Sequence, residues 1–473
     1  MNHIHLVAGI QEDLNFWHLS LSAIQNVSTS DCYWCRTRRA LGGSIDKSGK
    51  SRSQSHNTRI RKRTCRGWRK KSSLLAPFSR CLLIVAQAGL QLTPNATRLF
   101  KPWGIYDSLC DKATFPKALS VHRFDGTKLL AHEPNFQDQI SERYPAPFWG
   151  MHRVDLQRAM ASRCQELGVV LRLSSKVGNV DFDNAEVTLE GGETIKGDVI
   201  LCTDGLWSST RPQFLGAPSP AILTGDLAYR IVINTEDLSG PDAPELREFI
   251  ENSTVNFWVG PNTHVVAYTM RAGAVYNIVL LCPDNLPLEV NKSEGDIDEM
   301  KAFFEGWDPI LRKFLNQVKG VAKWRLMWID PLPQWANDKG TFLMAGDCCH
   351  PMLPYLAQGA NSSLEDGAVL GHLLSKVSYT SRATQLPQAA KLYQDLRKER
   401  GEKIQKETFK QRHDFHMVDG QEQEERDKLM LSMLGGELKP DFPSRWTCPR
   451  VQRWLYGYDS YAEAENAFAA HPF

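Results

Sequence analysis

From about residue 82 onward, short apolar runs alternate with amphipathic stretches. Residues 153–167 place Leu156, Met160 and Leu167 at helical spacings, Gly168 ends the pattern, and 169–173 reads as a strand. The run Val199-Ile200-Leu201-Cys202 has the unbroken apolar character of a strand buried on both faces. This alternation predicts an α/β layer built on a mostly parallel sheet. From about 216 to 325 the pattern changes to longer strands. Residues 255–259, 264–271 and 275–281 predict an antiparallel sheet, with turns at Pro261-Asn262 and Ala272-Gly273. The α/β pattern returns at 340–346, and a long charged helix is expected over 385–416. The layout is therefore an α/β domain (81–215 and 326–384), an inserted β-sheet domain (216–325), and a C-terminal helix and tail (385–473). No internal repeat is visible.

Residues 1–80 hold to neither period. Between Arg36 and Lys71 stand fourteen Lys or Arg and one acid, Asp46, a local charge of +13. Composition predicts poor order over 36–73. The whole chain carries only +2, so the remainder is acidic by eleven charges, which gives no reason to expect a nucleic-acid partner. The basic run ending Arg61-Lys62-Arg63 lacks interleaved aromatics and reads as a solvated segment. Eleven irregularly spaced cysteines in 473 residues suggest free thiols in a reducing compartment. Cys32, Cys35, Cys65 and Cys81 lack the spacing of a zinc site, and no metal is expected. No signal peptide is apparent, and no apolar stretch approaches the roughly 18 residues of a membrane span. A cytoplasmic location is the expectation.

The densest chemistry lies in Gly346-Asp347-Cys348-Cys349-His350-Pro351-Met352-Leu353-Pro354-Tyr355-Leu356-Ala357-Gln358-Gly359-Ala360-Asn361. A strand over 341–345 would deliver Gly346 and Asp347 to the carboxyl edge of the sheet, where open α/β sheets bind ligands. Gly346 permits close approach of a ligand, and the Asp347 carboxylate can accept hydrogen bonds from polyol hydroxyls. A helix starting near Gly359 would turn its free N–H groups toward the same place. His350 is expected to be a packed loop histidine bonded to the backbone.

This stretch resembles the GD motif of FAD-dependent aromatic-ring monooxygenases of the fungal salicylate-hydroxylase-like type. Asp204-Gly205-Leu206-Trp207-Ser208-Ser209-Thr210-Arg211 resembles the same family's DG motif. Gln91-Leu92-Thr93-Pro94-Asn95-Ala96, His152-Arg153-Val154-Asp155-Leu156 and the tail Trp454-Leu455-Tyr456-Gly457-Tyr458 are also similar. The resemblance implies a Rossmann-like FAD-binding domain, hydroxylation of a small phenolic or aromatic-acid substrate, and use of FAD, NAD(P)H and O2. It implies cofactor contacts at Gly89, Arg153, Asp347 and Ala360. It maps Arg211 and Tyr229 onto substrate-orienting positions, with Arg230 a substitute for either. An electrophilic oxygen attacks a phenolate faster than a phenol, and a guanidinium stabilises that anion.

One family feature is missing. No G-x-G-x-x-G follows the strand-like Ile4-His5-Leu6-Val7-Ala8-Gly9-Ile10; Gln11-Glu12-Asp13 stands there instead, and 11–80 matches nothing in the family. Two carboxylates beside a diphosphate repel it. The expected consequences are weak FAD retention and a sheet lacking its first strand or two.

Overall fold

The computed structural model describes the backbone of residues 6–9 and the whole of residues 89–473. The expectations for 36–73 and for Cys32, Cys35, Cys65 and Cys81 fall outside those residues. Leu6–Gly9, Val199–Cys202 and Phe342–Met344 form a parallel sheet in that order. The first strand is therefore present, contrary to expectation: Leu6 pairs with Val199 and Gly9 with Cys202. Four apolar residues suffice here because the central strand supplies a complete ladder. The strand expected over 169–173 does not form. No described strand lies beside it, and Leu173 is 67% exposed. An apolar run without a ladder partner leaves its backbone groups to water.

The larger sheet has eight strands, in the order Lys292–Gly295, Val321–Trp328, Ile222–Asn234, Val275–Pro283, Thr263–Met270, Thr254–Gly260, Ala118–Arg123 and Leu129–Glu133. Only the contact between Thr254–Gly260 and Ala118–Arg123 is parallel. The sheet thus draws in residues 118–133 from before the 216–325 segment. One face is covered by the helices Ala243–Glu251, Ile297–Phe303 and Pro309–Asn316. Leu246, Met300, Leu311 and Phe314 pack there on Leu227, Tyr229, Ile231 and Ile278. The opposite face presents Ala228, Val279, Leu281 and Leu326 to Leu353 and Tyr355 of the loop after Phe342–Met344.

The helices Gln358–Ser375 and Arg382–Phe415 join the two sheets through a fully buried charge network. Glu365 and Asp366 sit side by side in the middle of the first helix. Arg397 and Arg400, one turn apart on the second, share a face and meet them. Arg400 grips Glu365 through two 2.8 Å bonds, and Arg397 bonds Asp366 at 2.7 Å and pairs with Glu365 at 2.8 Å. The tail completes the shell: the Tyr458 ring lies 3.7 Å from the Arg400 guanidinium, which also donates to the Trp454 and Leu455 carbonyls. Burial opposes ionisation of Asp366, but His350 and Arg397 outweigh it and hold the carboxyl at about 2. Removing one partner from such a network costs on the order of 3–5 kcal/mol, because a buried charge is left uncompensated.

A second buried cluster joins the sheet to the end of the long helix. His264 Nδ1 and His416 Nε2 lie 2.7 Å apart, and Asp226 beside them takes bonds from Arg412 and Tyr355. His416 is pushed down to about 4, chiefly by burial; Asp226 pulls the other way and Arg412 adds to the depression. His264 is also lowered, by burial, His416 and Arg412. Both rings are neutral in the fold, whereas the unfolded chain protonates them below about 6.5. The unfolded state therefore binds more protons between about 4 and 6.5, and stability rises with pH across that window. His416→Gln is expected to flatten the fall in unfolding free energy between about pH 7 and 4.5, measured by urea denaturation. An unchanged slope contradicts this account.

Candidate active site

The loop after Phe342–Met344 is built around Gly346, whose φ of +69° is a left-handed conformation natural to glycine. Its N–H donates to Asp366 Oδ2 at 2.8 Å, and its carbonyl accepts the Cys349 and His350 N–H groups at 3.0 Å. Asp366 thus ties the loop to the buried charge network. His350 is packed and fully buried, but its partner is not backbone: Nε2 meets Asp366 Oδ2 at 2.5 Å. Its work is to hold Asp366. The helix Gln358–Ser375 then begins with no side-chain cap. Its first-turn N–H groups and the positive end of its dipole are left for something else. Asp347 lies against that turn, since a Cβ on Gly359 would stand 3.8 Å from Asp347 Oδ1. Ala360, half-buried, is in the same turn.

The segment Gln91–Ala96 locks onto this turn. Asn361 accepts the Thr93 N–H at 3.0 Å and donates to the Gln91 carbonyl at 3.0 Å, a two-bond clasp between side chain and backbone. Asn95 donates to Gln358 at 3.1 Å and to Glu365 at 2.6 Å. The two motifs, some 265 residues apart, are one buried hydrogen-bonded unit. Gly89 opens the strand Gly89–Leu92, which pairs with Trp149–His152 so that Gly89 faces His152, the residue before Arg153. A Cβ on Gly89 would come within 2.6 Å of Tyr268 Oη, 2.8 Å of Met270 Sδ and 2.9 Å of the Asn277 side chain, so any larger residue would have to displace them. Arg153 heads the helix Arg153–Glu166 and is buried. Burial lowers its pKa to about 9, with the charge of Arg230 adding to the effect and Asp347 opposing it. Arg153, Asp347 and Arg230 therefore share one electrostatic neighbourhood, beside Gly89.

Tyr229 and Arg230 are separated by strand alternation, which sends successive side chains to opposite faces. Tyr229 points to the helix-covered face. It packs with Leu227, Ile231 and Ile278, its hydroxyl donates to Glu299 at 3.2 Å, and Lys323 Nζ lies 5.3 Å from its ring. Arg230 takes the other face, its guanidinium 5.3 Å from the Trp324 ring and close enough to Tyr268 and Arg153 to act on their titration. Arg211 is elsewhere again. It is buried, and its guanidinium donates five bonds of 2.9–3.5 Å, to the Gly205, Leu206, Ser219 and Cys348 carbonyls and to the Ser219 hydroxyl. All its donors are spent on pinning the loop after Val199–Cys202 to the loop of Asp347. The structure brings together Gly89, Arg153, Asp347 and Ala360, adds Arg230, and leaves Tyr229 and Arg211 facing other surroundings. Tyr268, Asn277 and Trp324 were not singled out from the sequence; a lone Asn in the apolar run Val275–Cys282 was the available signal.

Behind these loops the thiols are packing groups. Cys348 donates to the Cys202 and Ala345 carbonyls, and Cys202 to Asp204 at 2.9 Å. Burial raises the pKa of Cys202 and Cys348. The seven described cysteines are all free.

An uncapped helix start with a carboxylate against it, and a buried arginine nearby, offer donors and acceptors that suit a flavin and its polyol chain. The family model described as FAD binding domain matches residues 85–408, and the chain belongs to that family. The protein is an FAD-dependent monooxygenase. It is 50% identical over 387 residues to "FAD-dependent monooxygenase OpS4" of Beauveria bassiana (strain ARSEF 2860), covering 81% of this chain and 88% of the relative. It is 30% identical to the 3-hydroxybenzoate 6-hydroxylase of Polaromonas naphthalenivorans (strain CJ2), covering 79% and 87%. Among solved structures, a salicylate hydroxylase substrate complex superposes with a TM-score of 0.64 at 22% identity, over 80% of this chain and 90% of that one, a likeness of fold. Among the described residues no helix is long and apolar enough to cross a membrane.

Proposed function

We propose that the protein hydroxylates a small aromatic acid or phenol with NAD(P)H and O2, and that the substrate's anionic group lies against Arg230. The observation that carries this reading is a guanidinium on the sheet face beside Arg153 with no carboxylate bonded to it. Arg230 makes no hydrogen bond within the described residues that would neutralise it, and burial lowers its pKa, so an anion brought there relieves a real cost. Relatives named for 3-hydroxybenzoate, 3-amino-4-hydroxybenzoate and 6-hydroxynicotinate all take a ring bearing a carboxylate or its equivalent, which supports the same chemistry. Asp347, Ala360, Gly89 and Arg153 would hold FAD, which supplies electron transfer and oxygen activation when bound. Arg230 orients the ring and stabilises its negative charge. The Trp324 face beneath the guanidinium keeps it in place and excludes water. Arg211 serves this arrangement by fixing two loops, and Tyr229 by packing the far side of the sheet. The fungal relative supports a place in secondary metabolism.

Steady-state kinetics on the aromatic substrate test the assignment. Arg230→Gln is expected to raise KM by about 10- to 100-fold, the worth of a charge-assisted bond. Tyr229→Phe is expected to stay within about threefold of wild type, as for a substitution remote from the site. The reverse ranking overturns the assignment.

A second reading has its own observation. The strand Leu6–Gly9 is in place, yet the sequence then runs Gln11-Glu12-Asp13 where a glycine turn would receive the diphosphate. We infer weakened FAD retention and an impaired catalyst. Purified protein is expected to carry much less than one flavin per chain by absorbance, with occupancy rising on added FAD. Full occupancy without added FAD rules this out.

A further inference from the structure

Asn277 is the amide within the apolar run Val275–Cys282, and it is 2% exposed. Its Oδ1 accepts the Gly89 N–H at 3.1 Å. That bond fixes the orientation of the amide, because a flipped group would set a donor against the Gly89 donor. Nδ2 is thereby committed to point away from Gly89, and it has no hydrogen-bond partner. Arg230 Nε and Trp324 Nε1 are buried and unpartnered too. All three belong to one sheet face. Asn277 stands opposite Val232 on one neighbouring strand and Tyr268 on the other, Arg230 stands opposite Val279, and Trp324 opposite Ala228. Arg230 and Asn277 are thus diagonal neighbours on adjacent strands, a relation that sets their backbones about 7–8 Å apart. Both side chains therefore rise from one patch of the sheet. Three buried donors without an acceptor are a poor core and a good receptor for an oxygen-rich anion.

We infer that Asn277 is a specificity residue, whose Nδ2 donates to a second oxygen substituent on the aromatic ring whose anionic group is held at Arg230. The inference rests on the substrate reading above. It narrows the substrate class to aromatic acids that carry a further oxygen acceptor, such as a ring hydroxyl. Because Oδ1 is bonded to the Gly89 turn, the same amide registers the substrate against the cofactor-binding strand.

The test is calorimetric binding to FAD-loaded protein of benzoate and of its 2-, 3- and 4-hydroxy derivatives. Wild type is expected to bind at least one hydroxy derivative about tenfold or more tighter than benzoate. Asn277→Ala removes the donor without adding a charge beside Arg230. It should bring the ratio of hydroxy-derivative to benzoate affinity down to about one, whatever its effect on benzoate itself, and Arg230→Gln should weaken every ligand. If Asn277→Ala does not fold, Asn277→Val, equally without a donor and at home in a strand, gives the same ratio. Equal losses for benzoate and the hydroxy derivative, or an unchanged ratio, would mean a merely structural amide and overturn the inference. Failure of all four ligands to bind wild type overturns the substrate reading itself, and the inference with it.

Discussion

The structure depends on the ionic contact between the Glu365–Asp366 pair and the Arg397–Arg400 pair in the dry centre of the molecule. Four charges without water are tolerable only when each is bonded, and here each is. The contact does more than join two helices. Through Asp366 it sets the Gly346 turn and the His350 ring; through Glu365 it sets Asn95, and with it the clasp between Gln91–Thr93 and Asn361. The loop of Asp347 and the uncapped start of the helix Gln358–Ser375 are therefore held from behind by an arrangement with one satisfactory geometry. Such rigidity suits a site whose function is to present dipoles and a carboxylate at fixed positions.

The second constraint is the two-residue period of a strand. It divides the long strand Ile222–Asn234 into a helix-covered face, with Tyr229, and an opposite face, with Arg230. The first is sealed by three short helices and by the Glu299–Lys323 pair at 2.8 Å. The opposite face keeps the buried donors Arg230 Nε, Asn277 Nδ2 and Trp324 Nε1 without hydrogen-bond partners. The division explains why adjacent residues of similar polarity have unrelated surroundings.

Much of this was legible in the sequence. The strands over 199–202 and 255–281 and the helices after 153, 358 and 385 follow from their periodicities, because burial on one or both faces leaves that imprint. The strand–turn–helix around Asp347 was legible from local order: strand, glycine, acid, stiff loop, helix. Arg153, Gly89 and Ala360 came from the family resemblance; the structure sets Ala360 in the turn beside Asp347, and Arg153 next to the residue paired with Gly89. The parity of Tyr229 and Arg230 was available from alternation alone, yet the face toward the site depended on where the helices dock, which no local pattern encodes. Which cations neutralise Glu365 and Asp366 was equally hidden, since the partners lie more than thirty residues away along a helix rich in charge. The run at 169–173 misled because apolarity predicts burial, and it is the presence of a neighbouring ladder that decides whether a strand forms.

The central claim is that the turn carrying Asp347, held by Asp366 against the start of the helix Gln358–Ser375, is the flavin socket. Titration of purified protein with FAD, followed by quenching of flavin fluorescence, tests it most directly when wild type is set beside Asp347→Ala. The account predicts saturable binding that weakens about tenfold or more in the variant, in line with losing bonds to a charged acceptor. Equal affinity in the two proteins would contradict it.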